Sequence, residues 1–80
     1  MTLEELEKAA RLYEEAAAEL ERAVGHCRVA AERYRAIEQP SGAAHALAAR
    51  GHVVEALRRL DENAVAQARK SLLPGDEGVR

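Results

Sequence analysis

From Leu3 to Tyr34, apolar or small residues recur at alternating intervals of three and four: Leu3, Leu6, Ala10, Tyr13, Ala17, Leu20, Val24, Cys27, Ala31 and Tyr34. That spacing holds side chains along one side of an α-helix for more than four heptads and matches no strand period. In a chain of 80 residues, a helix of that length leaves room for one partner helix or two shorter ones. No stretch alternates with period two, and β-branched residues are few. The fold class is therefore all-α: a helical hairpin of antiparallel helices, expected to be completed by dimerisation into a helical bundle.

The element boundaries follow from local chemistry. Thr2 followed by Glu5 forms a capping-box pattern, so the first helix starts near residue 3. It is expected to run to about residue 38, with Gly25 as its weak interior point. Pro40 disfavours helix at Gln39, which places a turn at 39–41 and a second helical region over about 42–73. The apolar stripe of that region is less regular. Ala43, Leu47, Gly51 and Val54 form one line; Leu57, Leu60 and Ala64 form another. Asp61-Glu62-Asn63 falls between them and reads as a possible break. Residues 1–74 make one domain, and 75–80, after Pro74-Gly75, read as a flexible tail.

Composition explains why dimerisation is expected. The apolar residues are 18 Ala, nine Leu, six Val and one Ile, with no Phe or Trp. Alanine buries little area, so the core is thin, and a chain of this size then needs well-packed helices, an oligomer or a partner. The association seam is assigned to Leu6, Tyr13, Leu20, Val24 and Tyr34 of the first helix with Leu47 and Val54 of the second. Tyr13 and Tyr34 would fill gaps with their hydroxyls directed outward.

Charge narrows the partners. The formal net charge is −2, with no Lys/Arg-rich run and no aromatic platform, which argues against nucleic acid. No apolar run approaches the length of a membrane span. The opening residues MTLEELEKAARLYEE are acidic and lack the apolar core of a leader, so the cytoplasm is the expected location. Ten Arg against two Lys, with abundant Ala, suggests a GC-rich bacterial genome.

Few residues invite chemistry. The single cysteine, Cys27, lies on the seam and reads as a small core thiol. The carboxylates Glu4, Glu5, Glu7, Glu14, Glu15, Glu19 and Glu21 follow the spacing of a solvated helix surface. His45 and His52 are seven residues apart, on one helix face and about 10 Å apart along the axis. One metal ion needs ligands about 2 Å away, so these two cannot share it unaided. No Glu-x-x-His pair, His-Glu-x-x-His motif, Cys-x-x-Cys motif or glycine-rich phosphate loop is present. No cofactor and no catalytic residue is expected.

The stretch ERYRAIEQPSGAAHALAARGHVVEAL, followed by NAVAQARKSLLP, resembles a tetratricopeptide repeat between about residues 30 and 74. A Tyr-Arg pair runs into a polar turn; Gly42 opens a helix carrying Ala46-Leu47, Gly51 and Val54; Ala64, Ala68 and Pro74 match the partner helix. The match departs from the family at Leu60-Asp61-Glu62-Asn63, where a Gly-Asp turn is usual, and covers one repeat plus a preceding helix. The resemblance implies two helices of one repeat packed through Gly51 and Ala64, and a groove-facing stripe of His45, His52, Glu55 and Arg59 that binds a protein partner. Apart from the resemblance, the same four residues read as a solvated polar face with an internal Glu55–Arg59 pair.

The function expected from these features is a non-catalytic helical module for protein–protein interaction or self-assembly, with a homodimer as the expected state. A metal-binding bundle or a small subunit of an enzyme is the alternative, followed by a nucleic-acid-associated regulator.

Overall fold

The computed structural model describes residues 1–70 (for Lys70, the backbone alone). They form two helices, α1 (Leu3–Arg35) and α2 (Gln39–Lys70), joined by a three-residue turn. Residues 26, 19 and 13 of α1 pair with 45, 52 and 63 of α2, so the helices run antiparallel as a hairpin. The expected tail and Pro74 lie outside the described residues.

The start of α1 is as its sequence dictates. Thr2 Oγ1 accepts a hydrogen bond from the Glu5 backbone N–H at 3.1 Å, and Glu5 Oε1 accepts one from the Thr2 backbone N–H at 3.4 Å. This capping box satisfies two donors that the first turn leaves without helical partners. Glu4 and Glu5 in the first turn, with Arg33 and Arg35 in the last, complement the helix dipole. The helix continues through Gly25, as the unbroken seam requires.

The turn corrects two expected boundaries. α1 ends at Arg35 rather than near 38, and the turn is 36–38 rather than 39–41. Glu38 N–H donates to Arg33 O at 2.7 Å and Ile37 N–H to Tyr34 O at 3.0 Å, the paired bonds of a Schellman ending. An ion pair from Arg33 Nη1 to Glu38 Oε2 at 3.1 Å reinforces it. Pro40 then lies in the first turn of α2, where its missing N–H costs nothing. Proline therefore opens the second helix instead of delaying it. A Cβ at Gly42, two residues later, would stand 3.0 Å from the Tyr34 ring, which would have to shift slightly to admit it.

α2 also corrects the break expected at Asp61–Asn63: the helix passes through these residues without interruption. The tetratricopeptide-type pairing of Gly51 with Ala64 falls with it, since both lie on one continuous helix. What remains of that resemblance is an antiparallel helical pair.

The larger correction concerns the faces. Buried apolar side chains among the described residues are Leu12, Ala16, Ala23, Ala30, Ala49 and Ala56. On α1 they belong to the stripe 5, 9, 12, 16, 19, 23, 26, 30, which has the same three–four spacing as the expected seam but is rotated from it by roughly 100°. The seam itself stays half-exposed, and Cys27 is an exposed thiol rather than a core one. α2 answers with 42, 45, 49, 52, 56, 59, 63 and 66. Small side chains line both stripes, so the helices pack closely and bury little apolar area.

Two outcomes test this fold. Ile37 has φ of 60° and is 91% exposed, occupying the left-handed position usually held by glycine. Ile37→Gly should therefore raise stability by about 1 kcal/mol in urea denaturation. Ala16→Leu should destabilise the fold by about 1–3 kcal/mol through overpacking, while Ala17→Leu, on the exposed seam, should cost little. Equal costs at the two positions would contradict the rotation of the interface.

Candidate functional site

The middle of the hairpin holds a ladder of polar side chains. His26 of α1 and His45 of α2 meet at 2.9 Å between their Nδ1 atoms. His26 also stacks on His52, with ring centroids 5.4 Å apart and planes 12° from parallel. His52 Nδ1 lies 2.6 Å from Glu19 Oε2, and Arg22 Nη1 holds the other oxygen of that carboxylate at 3.0 Å. Nearer the open end, Arg59 Nη1 donates to Glu55 Oε2 at 2.8 Å and to the Glu55 carbonyl at 3.0 Å. Its Nε makes a looser ionic contact with Glu15 Oε1 at 3.4 Å. Asn63 Nδ2 donates to Tyr13 Oη at 2.9 Å.

All of these groups occupy the inner stripes or their edges, where the heptad spacing leaves positions that alanine does not fill. The Glu19 carboxyl is held below its ordinary value of 4.5, first by the hydrogen bond from His52 and then by the nearby Arg22, His52 and Arg59 charges, against an opposing effect of burial. Glu55 is lowered by its hydrogen bonds from Arg58 and Arg59. Both shifts favour the ionised form in the folded chain. Their contribution is complete above about pH 4.5 and is lost as pH falls through the lowered values.

The expected groove residues His45, His52, Glu55 and Arg59 are thus brought together, but toward α1. Their polar groups are occupied within the hairpin by His26, Glu19, Glu15 and one another. His26 joins them from α1. It shares the inner stripe with Ala16, Glu19 and Ala23, where the same three–four count applied to small and polar residues places it. The three imidazoles converge within one chain. Among the described residues, no group of three or more His, Cys, Asp or Glu is placed to hold a metal ion.

A second feature lies beside the ladder. Glu15 and Glu55 both reach Arg59, so the flanks carrying them share one face of the hairpin. The opposite flanks, rotated to the other side of each inner stripe, share the other face. They carry Leu6, Tyr13, Leu20 and Val24 from α1, 49%, 54%, 43% and 48% exposed, and Val53, Leu57 and Leu60 from α2. Tyr34 extends the same flank toward the turn. The other two seam candidates, Leu47 and Val54, are also exposed but lie on the outer side of α2.

No family model, no curated protein and no solved structure matches the chain.

Tyr13 joins the two features, since its ring lies on the apolar face and its hydroxyl accepts from Asn63, which is 9% exposed. Tyr13→Phe should cost about 1 kcal/mol by leaving that amide without its acceptor. An Asn63→Ala background should abolish most of the difference in a double-mutant cycle followed by urea denaturation.

Proposed function

We propose that the chain is a non-catalytic helical assembly module that docks its apolar face on the same face of a second copy, closing a four-helix bundle. The observation that carries this reading is the division of side chains. Alanine fills the space between α1 and α2, while the larger apolar side chains on one flank of each helix stay half-exposed. A hairpin arranged in this way keeps its main hydrophobic resource for a contact outside itself.

The dimensions suit that contact. The backbone spans 57 × 29 × 12 Å, a single layer of helices. A face about 50 Å long and two helices wide offers on the order of 1,000 Å². A standard interface uses roughly 800 Å² on each side.

Charge favours a second copy as the occupant. Residues 1–38 hold nine acids and six bases, net −3, and residues 39–80 hold five acids and six bases, net +1. A two-fold arrangement that lays α1 over the partner's α2 sets acidic segments beside the weakly basic ones. It also places Tyr13 and Leu20 opposite the partner's Val53, Leu57 and Leu60. No helix among the described residues is long and apolar enough to cross a membrane, so a lipid-spanning role for this face has no support.

The test is solution mass against concentration. Light scattering should give twice the chain mass of 8.7 kDa at micromolar concentration. A Leu20→Glu/Leu57→Glu variant should lose the dimer, and with it much of the helical circular dichroism signal. A fully helical wild-type monomer at every concentration would overturn the reading.

A further inference from the structure

The imidazole cluster stands where the two helices meet, and its geometry restricts how many protons it can carry. His26 and His45 face each other through Nδ1 atoms 2.9 Å apart, so one Nδ1 donates and the other accepts. That arrangement exists when the pair is neutral or shares a single added proton. When both rings are imidazolium, both Nδ1 atoms carry hydrogen and the bond becomes a repulsive contact.

His52 breaks the symmetry of the cluster. Its Nδ1 faces the Glu19 carboxylate at 2.6 Å, so a proton on His52 is neutralised locally. The other charged groups near the cluster do not serve the remaining rings. Arg22 is bound to Glu19, and Arg59 is occupied by Glu55 and Glu15. Protons added to His26 and His45 therefore meet each other, with ring centroids 5.2 Å apart, and the one on His26 also meets His52 across 5.4 Å.

We propose that His26, His45 and His52, with Glu19 as the single counter-ion, form a proton-operated latch that holds the middle of the hairpin closed while the His26–His45 pair is neutral or shares one proton, and opens it when mild acidification protonates both rings. Imidazole is the side chain suited to gaining charge on mild acidification. Opening changes the spacing of α1 and α2. Because Leu20 and Val24 of α1 flank this level and Val53 lies beside His52, it also disorganises the centre of the docking face. The effect on assembly rests on the function proposed above; the effect on the hairpin does not.

The experiment is a thermal-unfolding series from about pH 7.5 to about pH 5.5 at constant ionic strength, with the solution mass measured on each sample. The wild-type midpoint should fall by about 5–10 °C across this range. A His26→Gln/His45→Gln variant should show less than half of that drop. Glu19→Gln, which removes the counter-ion, should enlarge the fall, because no carboxylate then offsets a proton on His52. A flat wild-type midpoint, or a parallel fall in the double His variant, overturns the latch. If the double variant does not fold, His45→Gln and Glu19→Gln decide: an acid response identical to wild type in both overturns it. A pH-dependent midpoint in a chain that is monomeric throughout sustains the latch and removes the dimer. A dimer with a pH-independent midpoint does the reverse.

Discussion

The close approach of two alanine stripes is the constraint on which the rest of this structure depends. Ala16, Ala23 and Ala30 on α1, with Ala49 and Ala56 on α2, leave room between the helices for backbone proximity and for a few larger groups at regular levels. Each alanine contributes little burial. The interface therefore draws specificity from what is inserted among them: the His26–His45 pair, the Glu19–His52 pair and the Tyr13–Asn63 bond. A leucine-lined interface would have used the seam and turned these polar groups to water. The alanine interface does the opposite, and the same choice leaves the apolar flank uncovered.

The sequence made the helices legible but not the face that joins them. The capping box at Thr2 and Glu5, the continuity through Gly25 and the all-α class all follow from local rules, and local rules governed the outcome. The turn was harder because Pro40 fits two positions. A proline can follow a helix end or open the next helix, and only the Schellman bonds at Ile37 and Glu38 decide between them. No local rule favours a β-branched residue in the left-handed conformation at Ile37. Its placement reflects the demand that α2 return along α1.

Asp61-Glu62-Asn63 misled for a different reason. Acidic and amide residues resemble a turn when the apolar stripe is taken from Leu47 and Val54. Counted on the inner stripe, Asn63 follows Ala56 and Arg59 at helical spacing and needs no break. The face assignment failed by the same logic on α1. Leu, Val and Tyr outrank Ala on any scale of hydrophobicity, so periodicity weighted by size selects the flank. The hairpin is set instead by the stripe that lets two backbones approach. His45 and His52 were visible as a pair because they share a helix; His26 joins them only through the antiparallel return.

The short turn also sets the order in which the hairpin can form. Across the polar ladder the sequence separation grows steadily outward, from 19 residues at His26–His45 to 33 at Glu19–His52 and 50 at Tyr13–Asn63. Each level closes a longer loop than the one before, but once the inner level is made the additional chain to be ordered is short. The hairpin is therefore a zipper with its slider at residues 36–38. One residue inserted into α2 just after this slider would advance every later side chain by about 100° relative to the turn, exchanging alanine for its neighbour at each tooth from the turn to the open end.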